Sequence, residues 1–513
     1  MIAAVSDFAS LAIQKKGGCA MPEEYSMLIG GKKVKATTGE VSEVINPANG
    51  QVVGMVPKCG EADVDAAVRA ALEAAPAWAA RTMTERSKVL LKLSRLIMAH
   101  HEELAQLETA EHGSPIRKTM NFDVPLCAEQ IEYFAGVARA MTGETLPVGP
   151  WCTSITIREP LGVVGLITPW NFPALMVVWK LGAALVTGNA CVVKPPSVAP
   201  LTTLKLGDLA MEAGVPAGVV NVITGPGETA GEALVRHPQV AKIGFTGDTA
   251  TGKRIMSLAS DTVKQVGLEL GGNNAFIVLA DADIDSAVEG AVWSAFFNSG
   301  QVCAAAGRFY VHDSRYDEFV EKMVAAARQL RYGDPMSMET VMGPVAYEAH
   351  RDKVEGYIEG AKKAGARLLC GGTRPDTPET RSGFFVAPTI FGDCTNDMQL
   401  MQDEVFGPVV GISRFKDLDE AVALTNDTKY GLSASVWTRD LRTGLNVAGR
   451  IKAGTVWINE HLIIFCETPW GGCKQSGWGK DLSTMALDEY TMTKHIYIDL
   501  TGEPVKPWYG LLK

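Results

Sequence analysis

The chain has 513 residues, 47% of them hydrophobic and 21% charged, with a formal net charge of −10. That length exceeds what a single hydrophobic core sustains, and the acidic balance excludes the basic face that a nucleic-acid binder needs. Ten scattered cysteines form no CxxC pair and no zinc-spaced cluster, so a disulfide framework and a metal site are not expected, and a reducing, cytoplasmic setting is.

Residues 1–24 read as a loose tail: the stretch lacks a basic n-region and any arginine, and Ser6, Asp7 and Ser10 interrupt its apolar content. Residues 61–111 carry apolar side chains at helical spacing. From residue 160 short apolar runs alternate with helical patterns: GVVGLIT, a helix over 172–187, NACVVKP, a helix over LTTLKLGDLAMEAG, GVVNVIT, a helix from about 227, and VAKIGFT. This alternation predicts right-handed βαβ units around a parallel sheet. A second alternating block begins near 273 with NNAFIVL and continues through RFYVHD, GFFVAPTIF, ASVWT and GTVWIN. The expected domains are therefore 25–135 with 158–270, and 271–480, bridged by 136–157 and 481–513. The longest apolar stretch, FPALMVVWKLGAALVTG, contains Lys180 and is too short to span a bilayer. TMTKHIYIDL (491–500) alternates like a strand beyond the second domain, so its edge is expected to lie unpaired within the subunit and to serve another copy.

Several strand-to-helix junctions carry residues suited to chemistry. TGPGETAG places Gly225, Gly227 and Gly231 where a phosphate could approach a helix N-terminus, although the spacing also suits a plain turn. GFTGDTATGK repeats the arrangement one unit later, and two such turns at one sheet edge favour a nucleotide. Lys194 ends the run ACVVK, where it reads either as a solvated lysine or as a ligand for a ribose hydroxyl or phosphate. Glu269 in ELGGNN follows an apolar run and should have a raised pKa, as a general base requires; a surface acid is the plainer reading. Asn171 in TPWNFP is either a turn residue or an amide donor to a developing oxyanion. Cys303 in FFNSGQVCAAAGR is a small core residue or a nucleophile.

The order of INP (45–47), TPWNFP, VVKP, FTG, ELGG, GQVC, EVFGPV (404–409), WIN and PWGGCKQSGWGK resembles the aldehyde dehydrogenase superfamily from about residue 27 to 500. Its texture is closest to the betaine-aldehyde and aminoaldehyde dehydrogenases. The resemblance implies an α/β fold of two domains, a Rossmann-like cofactor domain and an α/β catalytic domain, with a small β oligomerisation extension. It implies Cys303 as the nucleophile that carries a thioester, Asn171 as the oxyanion donor and Glu269 as the base that activates water. Lys180 resembles the lysine of a lysine–acid pair implicated in proton removal, with Asp481 as the acid. The cofactor would be NAD or NADP, held by Thr168, Pro169, Trp170, Lys194, Ser197, Gly227, Gly231, Phe245, Thr246, Gly247, Asp248, Leu270, Glu404 and Phe406. The substrate would meet Met176, Trp179, Val302, Ile464 and Phe465. Expected partners are a small-molecule aldehyde and further copies of the chain, as a dimer or tetramer, with no nucleic acid, membrane or metal.

Two departures bear on specificity. Ser197 stands where NAD-preferring relatives have glutamate, and a neutral hydroxyl tolerates the 2′-phosphate of NADP better than a carboxylate does. Asp248 replaces a common serine near the pyrophosphate and is expected to turn away as a helix cap. The tunnel stretch EHLIIFCETP is mostly apolar, and Pro125 and Leu126 follow Asp123 where cation-binding relatives often carry acids. An aliphatic or aromatic aldehyde is thus as well supported as betaine aldehyde or an aminoaldehyde. The competing readings are an acylating enzyme that passes the thioester to CoA, a catalytically silent protein on this fold, and a cysteine hydrolase. Glu269 argues against the first, the joint presence of Cys303, Glu269, Asn171 and Glu404 against the second, and the glycine-rich turns against the third.

Overall fold

The computed structural model describes residues 23–503, 506 and 509. The tail expected over 1–24 lies outside the described residues except for its last two, of which Glu24 bridges to Met55.

Residues such as VVGLI and ACVVK are buried at every position, because their strands are covered on both faces. They sit in an eight-stranded sheet whose central strands, in spatial order, are Gln265–Leu270, Lys242–Gly247, Val163–Ile167, Ala190–Lys194 and Val220–Val222, all parallel. Met27–Ile29 and Lys32–Val34 extend one side and Gly477–Trp478 the other, each antiparallel to its neighbour. The chain runs outward from Val163–Ile167 through two strands, then returns to lay Lys242–Gly247 on the opposite side. That reversal opens a crevice at the carboxyl ends of Val163–Ile167 and Lys242–Gly247. The helix Pro173–Val186 begins with proline at its first position and is buried over its whole length. It packs between this sheet and the helix Val124–Val137.

A second sheet of seven strands runs Arg367–Cys370, Thr389–Gly392, Val409–Phe415, Ala306–His312, Asn274–Val278, Ser433–Trp437 and Thr455–Ile458, parallel except at its first strand. Leu270 ends a strand of the first sheet and Asn274 begins a central strand of the second, so three residues join the two sheets. Among the described residues, no helix is long and apolar enough to cross a membrane.

A third, antiparallel sheet has the order Thr491–Asp499, Cys152–Pro160, Thr145–Leu146. Here the expectation of an unpaired C-terminal strand is corrected: all nine residues pair with Cys152–Pro160, from Thr491 opposite Pro160 to Asp499 opposite Cys152. The partner lies more than three hundred residues earlier, and local alternation carries no information about so distant a strand. Among the described residues, only the outer edge of Thr491–Asp499 is left open.

Candidate active site

Cys303 follows an unusual turn. The helix Ile284–Phe296 stops, and Asn298, Ser299 and Gly300 adopt left-handed conformations in succession, with φ of 52°, 57° and 70°. Two of these are not glycine, so the turn must be held from outside. Ser299 Oγ donates to the Gly343 carbonyl at 2.8 Å, and Gln301 Oε1 accepts from the Ala346 N–H at 2.8 Å. Glycine is required at position 300, because a Cβ there would lie 2.2 Å from the Gly407 carbonyl oxygen. Beyond the turn, Asn274 Nδ2 donates to the carbonyls of Cys303 at 2.7 Å and Ala305 at 2.9 Å. His461, fully buried, bonds the Ala304 carbonyl through Nε2 at 2.8 Å and Ser435 Oγ through Nδ1 at 2.8 Å. Burial pulls this imidazole down to a pKa of about 4, so the ring is neutral.

Asn171 lies in the turn after Val163–Ile167 and is tied to the same loop from the other domain. Its Nδ2 donates to the Gln301 carbonyl at 3.0 Å, and its own carbonyl accepts from Asn298 Nδ2 at 2.9 Å. One amide hydrogen of Asn171 is thus engaged beside Cys303 and the other is left for a ligand.

Glu269 sits near the carboxyl end of Gln265–Leu270, buried, with both carboxylate oxygens lacking a partner among the described residues. Gly471 makes the room: a Cβ there would lie 2.5 Å from Glu269 Oε1. Burial raises its pKa well above the usual carboxylate range, and Asp481 adds to the rise while Lys180 and Lys480 oppose it. Lys180 Nζ and Asp481 Oδ2 form a buried ion pair at 2.5 Å. The Cys303 thiol is pushed up to about 12, first by burial and then by the charges of Glu269 and Glu404. The resting site therefore holds a thiol rather than a ready thiolate, and a base is needed to make it a nucleophile.

On the crevice side, Thr168 Oγ1 and Thr246 Oγ1 are buried without partners among the described residues, next to Pro169 and Gly247 at the ends of the two switch-point strands. Lys194 ends its strand almost fully buried, and burial lowers its ammonium to about 8. Ser197 Oγ donates to the Gly225 carbonyl at 3.0 Å. Gly227 and Gly231 bound a single π-helical turn with open space where a Cβ would stand. Asp248 caps the helix Thr249–Ala259, its carboxylate accepting from the Thr251 N–H at 2.9 Å. Phe245 and Leu270 instead pack into the core beneath, Leu270 against Gly252. Glu404 Oε1 accepts from the Gly272 N–H at 2.8 Å, and burial raises its pKa to about 7. The Trp170 ring meets Phe406 edge-on at 5.3 Å and His350 at 5.0 Å.

Cys303 also lines a cavity of about 290 Å³ on the opposite side. Met176, Trp179, Val302, Ile464 and Phe465 all line it, joined by Phe122, Phe172, Trp293 and Phe297. Sequence reasoning passed over Asn274, Asn298, Gln301, His461 and the aromatic residues Phe122 and Trp293. Asn274 stood in a quoted motif, but its role depends on a loop 29 residues away. The aromatic residues look like ordinary core residues until the helices are packed.

The model of the Aldehyde dehydrogenase family matches residues 33–496. The Betaine aldehyde dehydrogenase of Bacillus subtilis (strain 168) is 42% identical over 476 residues, covering 92% of this chain and 97% of that protein. Among solved structures, the NAD-dependent aldehyde dehydrogenase of Sinorhizobium meliloti superposes with a TM-score of 0.92 at 40% identity, covering 95% of this chain and 97% of that one. The betaine aldehyde dehydrogenase of Staphylococcus aureus, solved with NAD+, gives 0.92 at 37% identity, covering 94% and 96%. These likenesses span nearly the whole chain and every element that carries the site, so the chain belongs to the aldehyde dehydrogenase family and is an oxidoreductase acting on aldehydes.

Proposed function

We propose that this protein oxidises an aldehyde to its carboxylic acid through a covalent intermediate on Cys303, with a nicotinamide dinucleotide in the switch-point crevice. The observation that carries the reading is Cys303 at the wall of an apolar cavity, close enough to a buried, unpartnered glutamate for their charges to interact. Glu269 takes the thiol proton, and the sulfur adds to the aldehyde carbon. The free amide hydrogen of Asn171 and the Cys303 N–H stabilise the resulting oxyanion. NAD, when bound, supplies the acceptor for the hydride that leaves this carbon, and a thioester remains on Cys303. Glu269 then takes a proton from water as the water oxygen attacks the thioester carbon, and the acid departs as the sulfur is released. The Lys180–Asp481 pair provides the neighbouring groups to which Glu269 passes its proton.

The crevice fits such a cofactor. Two unpartnered threonine hydroxyls, a buried lysine, an open glycine turn and a buried glutamate at its far end supply both donors and acceptors. Relatives described with NAD support that acceptor. With a hydroxyl at 197 in place of a carboxylate, NADP should be accepted as well. The test of the mechanism is Glu269→Gln, which should block thioester hydrolysis more severely than acylation. With solvent base taking the thiol proton at alkaline pH, mixing with aldehyde and cofactor should give a burst of reduced cofactor and an acyl adduct on the Cys303 peptide by mass spectrometry. Steady turnover at the parent rate would overturn the assignment.

For assembly, we propose that the outer edge of Thr491–Asp499 pairs with another copy. Among the described residues no strand pairs on that side, and Met492, Tyr497 and Ile498 are exposed along it. Removing residues 491–513 should yield monomers or aggregate in light scattering; an unchanged oligomer would count against the pairing.

A further inference from the structure

The cavity beside Cys303 contains polar groups that the proposed chemistry does not use. Gln130, on the helix Val124–Val137, is 4% exposed, and Trp179, on the helix Pro173–Val186, is 6% exposed. Both line the cavity. Among the described residues, neither Gln130 Oε1 nor Trp179 Nε1 has a hydrogen-bond partner. A buried amide or indole N–H left unpaired costs about 1–3 kcal/mol, so such groups normally meet a partner, whether protein, water or ligand. Here they lie in a wall otherwise built of aromatic and aliphatic side chains.

The buried part of the same wall carries no net charge. Asp123 is its one deeply buried acid, and its carboxylate is matched by Lys118 Nζ at 2.5 Å, both residues being nearly inaccessible. That ammonium also stands 4.1 Å from the centre of the Phe172 ring. A substrate cation placed there would meet a carboxylate whose charge Lys118 already balances through Oδ2, with that like charge beside it, although Asp123 Oδ1 has no hydrogen-bond partner among the described residues. The remaining acid, Glu129, is exposed at the rim.

Resting on the reading of the cavity as the aldehyde channel, we infer that it selects a neutral, largely apolar aldehyde bearing a hydroxyl group, which Gln130 and Trp179 recognise. The indole N–H can only donate, and the amide can accept or donate. A hydroxyl is the smallest group that accepts from the first while donating to the second. The aromatic side chains then pack the body of the molecule.

The experiment compares kcat/KM for meta- and para-hydroxybenzaldehyde with their methoxy analogues, which keep the acceptor oxygen but lose the donated hydrogen. Benzaldehyde and betaine aldehyde complete the set. The wild type should favour at least one hydroxyl compound about tenfold over its methoxy partner. Gln130→Leu should bring that ratio close to one, and Trp179→Phe should lower kcat/KM for the hydroxyl and methoxy compounds alike relative to benzaldehyde. A wild-type ratio near one overturns the inference without any variant, as does a ratio that survives Gln130→Leu. Betaine aldehyde as the best substrate of the set would also overturn it. No reduced cofactor with any of these aldehydes, benzaldehyde included, would instead defeat the proposed oxidation itself.

Discussion

The two sides of Cys303 differ in how they treat polar atoms. The cavity beside Cys303 is walled by rings and aliphatic chains, and its one deeply buried acid is paired with a lysine. The crevice side keeps Glu269, Thr168 and Thr246 unpartnered and lets burial raise Glu269 and Glu404 far above ordinary carboxylates. Unpaired buried polar groups are destabilising, and a fold retains them where a ligand or a reacting atom completes them. The contrast separates a mostly apolar face, in which Gln130 and Trp179 await a neutral partner, from one lined with unpartnered carboxyl and hydroxyl oxygens. Cys303 lies at their boundary.

The comparison is broken most severely by removing that boundary. Cys303→Ala should reduce aldehyde oxidation by roughly a thousandfold or more while cofactor still binds, since the thiol proposed to carry the acyl group is removed. Substantial turnover in this variant would remove Cys303 from the chemistry. Alanine at Cys191, which is fully buried in the sheet, should cost only packing and leave the rate intact.

A smaller effect is expected at the rim of the crevice. Ser197→Glu restores a carboxylate where its hydroxyl now meets the Gly225 carbonyl. It should shift the NAD over NADP preference by about 1–3 kcal/mol, the scale of one charged hydrogen bond. The measurement is kcat/KM for both cofactors in both proteins. An unchanged ratio means that residue 197 does not face the ribose.

The last effect concerns stability alone and tests whether burial raises the Glu404 carboxyl. Glu404 titrates near 7 when folded, against an ordinary 4.5. The folded state then binds this proton more tightly than the unfolded state, so the contribution is present below about pH 4.5 and is lost as pH rises toward 7. Glu404→Gln should flatten the fall in Tm of the cofactor-free protein between pH 5 and 8, by an amount corresponding to at most about 3 kcal/mol. Identical pH profiles for the two proteins would show that the folded environment does not shift this group.

How much of this was legible beforehand depends on the range of the interaction. The strands Val163–Ile167, Ala190–Lys194 and Asn274–Val278 announce themselves as short apolar runs between glycines and prolines, because strands buried on both faces need apolar residues throughout. Cys303, Glu269 and Asn171 stand in ordered motifs at junctions of those elements, so their candidacy was visible as well. The pairing of Thr491–Asp499 with Cys152–Pro160 was not, since either strand alternates equally well alone.

The sequence by itself determined the alternation of strands and helices, the order of the motifs and the small residues, Gly300 and Gly471 among them, on which the close approaches depend. Tertiary structure alone decided which side chains share a space. It brought the Asn298 amide to the Asn171 carbonyl and His461 to the Ala304 carbonyl, next to Cys303. It also set Phe122 and Trp293, from segments far apart in the chain, 6.0 Å from one another at one cavity. The physical reason is that periodicity records which face of an element is buried, while the identity of the neighbour across that face is fixed only when the elements pack.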